Sequence, residues 1–179
     1  MGGQWTLGQY NRALDHSVNR TVYLSLGSNL GDRAGNLAQA VNLLGGLGNV
    51  LAESSLYETE PVEVESDQPW YLNSAVAMET ELDPEDFLHR VLAIEEAMGR
   101  HRSGHKSSRS IDIDVIFFGD EIVKTENLTI PHPAMHRRRF VLDPLADIAP
   151  EVRHPILKQT VRQLREQLPA GAGTVRKIN

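Results

Sequence analysis

The stretch from Arg109 to Gly119, Arg-Ser-Ile-Asp-Ile-Asp-Val-Ile-Phe-Phe-Gly, limits the possible folds more than any other part of the chain. Its apolar residues are mostly β-branched or aromatic, a composition typical of a buried strand. Two carboxylates, Asp112 and Asp114, interrupt it. Residues two apart on a strand point to the same face, about 7 Å apart along the strand. The pattern therefore predicts a strand that carries two neighbouring carboxylates where a core is expected.

A bare Asp-x-Asp pair has a simple alternative explanation, the polar face of a half-exposed edge strand. Buried together, the two like charges would cost free energy unless a cation or a base neutralises them. The preceding segment, Arg100 to Arg109, holds three arginines, one lysine and two histidines. Carboxylates that bind Mg²⁺, beside cations that bind phosphate oxygens, are typical of a site for a polyphosphate. The sequence therefore favours such a site.

The composition excludes several classes of function. The formal net charge of −6 makes the chain a poor candidate for wrapping duplex nucleic acid. There is no cysteine, which excludes disulfides, zinc–thiolate sites and thiol catalysis and suits the reducing cytoplasm. No apolar run approaches the length that spans a membrane, and residues 1–20 lack the apolar core of a signal peptide. We therefore expect a cytoplasmic protein that binds neither nucleic acid nor membrane, and we expect it to act as a monomer.

The domain organisation follows from where the hydrophobic patterning begins. Residues 1–20 are polar and weakly patterned, which predicts a disordered extension, with a short helix over Leu7–His16 as the alternative. Residues 21–179 have the length of a single domain with its own core. The segment Gly27–Asp32, Gly-Ser-Asn-Leu-Gly-Asp, must turn sharply. It lacks the Lys-Ser/Thr ending of a P-loop, so a strand-to-helix turn is the favoured interpretation.

Periodicity predicts the order β-α-β-β-α-β-β followed by two helices. Helices are predicted over Arg33–Leu47, Asp83–Gly99, Arg139–Ile148 and Thr160–Leu168. Strands are predicted over Thr21–Gly27, Val50–Tyr57, Trp70–Glu79, the stretch with the two aspartates, and Glu121–Lys124, the last two forming a hairpin at Gly119–Asp120. Pro169–Asn179 is predicted to be a tail. This order predicts an α+β fold, a ferredoxin-like two-layer sandwich with a mainly antiparallel sheet and helices packed on it.

Seven segments in register carry a resemblance to a known family. The chain resembles the 6-hydroxymethyl-7,8-dihydropterin pyrophosphokinases of folate biosynthesis, which have a ferredoxin-like fold. The matching segments are Leu26–Asp32, Ser55–Pro61, Asp67–Asn73, Glu95–Arg100, Arg109–Asp114, Leu128–His132 and Arg138–Phe140. The resemblance implies transfer of the β,γ-diphosphate of ATP to the hydroxymethyl group of the dihydropterin, with AMP as the second product.

The same resemblance implies roles for individual residues. Arg100 and Arg109 would be catalytic, and Asp112 and Asp114 would hold two Mg²⁺ ions. The residues implied to bind the pterin are Thr59, Pro61, Val62, Tyr71, Asn73 and Phe140. The residues implied to bind ATP are Glu95, Arg102, Val115, Thr129, His132 and Arg138. Without the resemblance, a strand tyrosine and a helix phenylalanine would be assigned to the core, whereas an asparagine on an apolar strand already indicates a buried polar partner.

The chain departs from the family pattern in the basic segment, where Gly104–Arg109 is one residue shorter than in many members. The roles of His105 and Lys106 therefore do not follow from matching. Leu92 and Glu60 also stand where some members have a polar residue and a proline. Two rival functions stay open, a non-catalytic ferredoxin-like sensor that binds a nucleotide or metabolite, and an ordinary γ-phosphoryl kinase that releases ADP.

Overall fold

The sheet forms around one long strand, β4, which comprises Tyr71–Thr80. The computed structural model describes residues 19–61, 69–99, 109–171 and 173–178. One edge of β4 pairs along nearly its whole length with β1, Arg20–Ser28. The other edge is shared by β2, Asn49–Glu53, and β3, Leu56–Thr59. Every one of these pairings is antiparallel.

Two further strands extend the sheet at its edges. β5, Asp112–Phe118, pairs with β1, and β8, Val175–Ile178, pairs with β3. The order is β5-β1-β4-β3-β8, with β2 also beside β4. Helix α1, Arg33–Leu44, follows β1, and helix α2, Pro84–Ala97, follows β4. The antiparallel sheet, with one helix after β1 and one after β4, confirms the predicted ferredoxin-like α+β fold.

The main core lies between the sheet and the pair α1 and α2. Alternate strand residues point to this side, among them Leu24 of β1 and Val76 of β4, both fully buried. Phe87 and Val91 of α2 pack against them. The helices begin where the sequence indicates: Asp32 caps α1 by accepting the Gly35 N–H, and α2 has a proline in its first turn. These two layers are the predicted sandwich.

The opposite face of the sheet carries a second core under α3, Arg139–Ile148, and α4, Val161–Glu166. Ala75 of β4 and Phe117 of β5 point to this side, because they alternate with residues of the main core. Leu142 and Val161 cover them from the two helices. The chain therefore adds a third layer to the two-layer unit, over part of the sheet.

Three local predictions are wrong. The predicted strand Val50–Tyr57 is interrupted, because the Ser54 hydroxyl accepts the Ala75 N–H and opens the strand between β2 and β3. The strand after Gly119 does not pair with β5. It forms β6, Val123–Lys124, which pairs with β7, Thr129–Ile130, before a 3₁₀ helix over Met135–Arg137. The predicted tail contains β8, whose partner β3 lies more than a hundred residues earlier.

The first described strand begins one residue before the predicted start at Thr21. Arg20 pairs with Thr80 across the sheet, and its guanidinium forms ion pairs with Asp83 at 3.3 Å and Glu121 at 2.8 Å. Residues 1–18, and with them most of the predicted extension, lie outside the described residues. Within the described ranges, no helix combines the length and the apolar character that a membrane span requires.

Candidate functional site

A row of four residues crosses the sheet on the side of α3 and α4. The register pairs Gly27 with Asp112 on one side and with Asn73 on the other, and Asn73 in turn with Tyr57. Directly paired residues of neighbouring strands point to the same face. Asn73 lies two residues before Ala75, which belongs to the core under α3. The row therefore brings a predicted metal ligand and a predicted pterin ligand to the same face.

Gly27 stands between these two groups because a side chain does not fit there. A Cβ atom on Gly27 would lie 2.9 Å from Asn73 Oδ1 and 3.7 Å from Tyr71 Cδ1. The first distance is shorter than real Cβ contacts, so any side chain would displace the amide. The glycine thus makes room for the Asn73 amide and the Tyr71 ring on this face.

Asn73 and Thr59 form the buried part of the predicted pterin site. Asn73 Nδ2 donates a hydrogen bond of 2.6 Å to Thr59 Oγ1, and both residues are less than 5% exposed. The backbone pairing of Thr59 with Tyr71 places the tyrosine beside them. A buried amide needs partners on both its oxygen and its nitrogen. The structure therefore brings three of the predicted pterin ligands together.

Phe140 and Arg138 lie at the start of α3, on the same side of the sheet. Phe140 packs against the core under α3, and the Arg138 guanidinium lies over its ring at 5.6 Å from the centroid. This cation–π contact holds a predicted ATP ligand against a predicted pterin ligand. Pro61, a further predicted pterin residue, is half-buried just after β3.

Asp112 and Asp114 lie two apart on β5, so both carboxylates emerge on the face of the row. Arg109 Nη1 donates to Asp112 Oδ2 at 2.6 Å, and each of these two side chains is about one quarter exposed. Carboxylate oxygens at an accessible edge suit Mg²⁺, which takes only one or two carboxylates and completes its shell with water and phosphate oxygens. The donor set fits that ion. Within the described ranges, no group of three or more histidine, aspartate or glutamate side chains is placed so that it could hold a metal ion.

Glu95 approaches the same strand from the opposite side of the sheet. It is 2% exposed, and its Oε1 accepts the Ile113 N–H at 2.7 Å. Ile113 is the residue between the two aspartates, and its own side chain lies in the main core. This contact fastens α2 to β5 at the carboxylate pair. The predicted contact of Glu95 with ATP stays a prediction.

His132 lies beside β5, where its backbone N–H donates to the Ile116 carbonyl at 3.0 Å. Burial, reinforced by the positive charge of Arg138, lowers the pKa of His132 to about 4, against an opposing effect of Asp112. The imidazole is therefore neutral at pH 7, and its Nδ1 accepts the Ala134 N–H at 3.2 Å. Its neighbours Arg138 and Asp112 are themselves predicted site residues.

The structure does not bring the remaining predicted ATP ligands together beside Asp112. Thr129 of β7 is exposed, whereas Val115 of β5 is 6% exposed with its side chain in the main core. Arg100, Arg102 and Val62 lie outside the described residues.

The opposite end of the row carries a polar network that the sequence did not indicate. Burial, together with a hydrogen bond to Asp147, raises the pKa of Tyr57. Asp147 of α3 also binds Lys177 of β8 at 3.0 Å and the Ser55 N–H at 3.4 Å. These contacts hold α3, β3 and β8 together next to Asn73.

Two residues that hold segments next to the site strands were also not predicted from the sequence. Arg33, at the start of α1, donates to the Trp70 carbonyl at 2.7 Å and to Glu58 Oε1 at 2.9 Å, which joins the ends of β4 and β3. Asn29 is 1% exposed in the turn after β1 and contacts both Arg109 and Pro69. The one signal in the sequence was the asparagine itself, in a segment predicted to turn sharply.

Comparison with known proteins identifies relatives over most of the chain. The chain is 44% identical over 137 residues to a 2-amino-4-hydroxy-6-hydroxymethyldihydropteridine pyrophosphokinase of Bacillus subtilis, covering 75% of this chain and 81% of that protein. It is 45% identical over 153 residues to one of Methylorubrum extorquens, covering 84% and 95%. The folic acid synthesis protein FOL1 of Dictyostelium discoideum is 39% identical over 160 residues, which are 89% of this chain and 24% of that protein.

The chain thus spans about a quarter or less of the length of the folic acid synthesis proteins that it matches. Among solved structures, a Plasmodium falciparum HPPK-DHPS protein with SDX-DHP matches with a TM-score of 0.68 at 20% identity. That match covers 86% of this chain and 46% of the other, and it concerns the fold alone. The family model of 7,8-dihydro-6-hydroxymethylpterin-pyrophosphokinase (HPPK) matches residues 23–150. A match over well over half of the chain, together with close relatives of similar length, shows that the chain belongs to this pyrophosphokinase family.

Proposed function

We propose that the chain transfers the β,γ-diphosphate of ATP to the hydroxymethyl oxygen of 6-hydroxymethyl-7,8-dihydropterin, with release of AMP, in folate synthesis. The observation that carries the proposal is the row across the sheet, in which Gly27 separates Asp112 from Asn73 on one face. It sets a charged site suited to phosphate next to a buried amide suited to the edge of a heterocycle. The names of the bacterial relatives support the pterin substrate and the transfer of a diphosphate.

The pterin would lie against the Asn73 side of the row. Tyr71 and Phe140 offer aromatic faces for stacking on a flat ring, and Asn73 and Thr59 offer a donor and acceptors for its edge. Pro61 and Val62 complete the proposed pterin ligands. Because the Asn73 amide is buried and fixed by Thr59, it can distinguish a ring with matching donors and acceptors from one without them.

ATP would lie against the Asp112 side of the row. Asp112 and Asp114 would hold two Mg²⁺ ions, which when bound offset phosphate charge and orient the attacking hydroxyl. Arg109 is already directed at Asp112, so a phosphate oxygen can take over part of this interaction. We propose that Arg100 assists it, and that Arg102, Thr129, His132 and Arg138 line the ATP site. Glu95 and Val115, whose side chains lie on the other face of β5, are proposed to line the part of the ATP site that extends around this edge strand.

The reaction forms a bond between the hydroxymethyl oxygen and the β-phosphorus and breaks the bond from that phosphorus to the oxygen shared with the α-phosphorus. The electron pair of the broken bond stays on AMP, and the hydroxyl proton is released. Such a transfer depends on positioning and on neutralising charge, which the aspartates and arginines of the site can provide.

Product analysis tests the proposal directly. The protein is incubated with ATP and Mg²⁺, with and without the dihydropterin, and nucleotides are separated. We expect AMP only when the pterin is present, in equal amount to the pterin diphosphate. Formation of ADP would indicate a γ-phosphoryl kinase instead, and binding of both ligands without turnover would indicate a sensor.

We further propose that residues 21–179 form a single domain that acts as a cytoplasmic monomer. The absence of cysteine suits a reducing compartment. Light scattering behind size-exclusion chromatography, with and without ligands, tests the oligomeric state. A stable dimer would overturn that part of the proposal.

A further inference from the structure

Asn29 connects two parts of the chain that are far apart in sequence. Its side-chain oxygen accepts the Arg109 N–H at 2.7 Å, and its own N–H donates to the Arg109 carbonyl at 3.1 Å. Its Nδ2 donates to the Pro69 carbonyl at 3.4 Å. With 1% exposure, the side chain is enclosed by these partners. An asparagine amide supplies an acceptor and a donor at once, which this position uses.

The turn that carries Asn29 is itself held in place. Asn36 of α1 donates to Ser28 Oγ at 3.2 Å and to the Leu30 carbonyl at 2.9 Å, on either side of Asn29. Asp32 caps the same helix. The Asn29 side chain therefore projects from a turn fixed to α1, and it links the segments at Arg109 and Pro69 to that turn.

Both of these segments lead directly into the proposed site. The Arg109 guanidinium meets Asp112 at 2.6 Å, so fixing the Arg109 backbone fixes the origin of that side chain. Pro69 lies two residues before Tyr71 and four before Asn73. One buried amide thus stands between the strand that carries the pterin residues and the arginine that faces the phosphate site.

We infer that Asn29 is a positioning residue, which aligns Arg109 with Asp112 and ties this arginine to the start of β4. The inference rests on the proposed function, because it concerns the relative placement of the two proposed substrate sites. A misplacement of about 1 Å in such an alignment can cost up to about a hundredfold in rate. The effect should appear in kcat, since Arg109 is proposed to act during transfer.

The test compares Asn29→Ala with Thr80→Ala. Thr80, at the other end of β4, is a matched control because it is 2% exposed. Its hydroxyl donates to the Leu47 carbonyl and accepts the Leu82 N–H. Counted among the described residues, both variants lose one donor and one acceptor bond to backbone groups. We expect similar losses in Tm, but a fall in kcat of about ten- to a hundredfold for Asn29→Ala alone. Equal kcat values for the two variants would overturn the inference.

A double-mutant cycle shows whether Asn29 acts through Arg109. In the Arg109→Ala background, Asn29→Ala should lower kcat far less than it does in the parent, because the side chain to be positioned is gone. Fully additive losses would overturn the inference. Asn29→Asp keeps the acceptor for the Arg109 N–H but loses the donor to the Pro69 carbonyl, so it should recover kcat only in part. If Asn29→Ala does not fold, Asn29→Ser, whose hydroxyl is too short to reach both partners, replaces it with the same expectation.

The outcomes also separate this inference from the proposed function. A low rate for Arg109→Ala together with a normal rate for Asn29→Ala would overturn only the role of Asn29. A normal rate for Arg109→Ala would overturn both the proposed role of Arg109 and the inference. No AMP from the parent protein would overturn the proposed function itself.

Discussion

The Glu95 carboxylate accepts the backbone N–H of Ile113 at 2.7 Å, and so holds the one residue that separates Asp112 from Asp114. The two partners come from α2 and from the edge strand β5. A buried carboxylate thereby supports the carboxylate pair from behind, through the backbone.

This relationship predicts how two substitutions of Glu95 will differ. Glu95→Ala leaves the Ile113 N–H buried without its acceptor, so the free energy of unfolding should fall by about 1–3 kcal/mol and the Mg²⁺ concentration for half-maximal activity should rise. Glu95→Gln keeps an oxygen acceptor and should be affected much less in both respects. Urea unfolding and Mg²⁺ titration of activity measure the two effects. Unchanged stability of Glu95→Ala with a specific loss of ATP affinity would instead indicate direct contact with ATP.

Replacing either aspartate should abolish transfer and leave the fold intact. Asp112→Ala removes a proposed metal ligand, and the ion pair it breaks with Arg109 is partly exposed, so the loss in the free energy of unfolding should stay below about 1 kcal/mol. Asp114→Ala should abolish transfer in the same way. AMP formation at saturating Mg²⁺ and urea unfolding are the measurements. Near-normal turnover in both variants would remove the pair from the metal site.

The Asn73 amide should control pterin affinity with little effect on ATP. Asn73→Ala leaves polar groups of the pterin edge unpaired, at a cost of about 1–3 kcal/mol each in binding free energy. Gly27→Ala should also weaken pterin binding, because its Cβ would lie 2.9 Å from an Asn73 oxygen that Thr59 helps to hold in place. Calorimetry with each ligand checks both variants. Equal losses for the two ligands would show that Asn73 is structural.

Stability should fall on acidification partly through His132. Its pKa is about 4 in the folded protein, whereas the unfolded chain titrates near 6.5, so between these values only the unfolded state binds the proton. The free energy of unfolding therefore decreases as the pH is lowered through this window. His132→Asn, which retains an acceptor for the Ala134 N–H, should flatten this dependence in urea unfolding across the window.

A second histidine serves as a reference for that experiment. His154, whose pKa is lowered by burial and by His136, should leave a residual dependence in His132→Asn. An identical slope for His132→Asn and the parent would contradict the assignment.

Removal of residues 1–18 should be tolerated. A chain that begins at Asn19 keeps Arg20 and its ion pairs, and we expect the Tm and activity of the full chain. A chain that begins at Thr21 loses two partly exposed ion pairs, worth about 0.2–1 kcal/mol each, and should melt slightly lower. Thermal melting and AMP formation measure both. A clear loss for the chain from Asn19 would show that the removed residues pack on the domain.

The parts of the fold that were predictable depend on local patterns. Tyr71, Asn73 and Ala75 alternate with Leu72 and Val76 along the predicted strand, and in the structure Ala75 belongs to one core of the sheet and Leu72 and Val76 to the other. The helices also followed from their spacing and caps, to within a few residues.

The parts that were not predictable depend on partners distant in sequence. β8 is four residues long and becomes a strand only because β3 offers it a free edge. Likewise, Asn29 and Glu95 are defined by backbone groups that the fold brings to them, and no spacing indicates which N–H a buried side chain will accept. Within the site, residue types were readable from the sequence, whereas the contacts that hold them were not.

The contact between Asn29 and Arg109, at the end of the strands that carry the row, has a consequence for how the protein acquires its activity. It joins positions 80 residues apart, so it closes a long loop and can form only when β1 and β5 have met. Ligands that bind the assembled row but not the unfolded chain will shift the folding equilibrium of the whole domain by mass action, so that occupancy of the site and survival of the protein in the cell are linked.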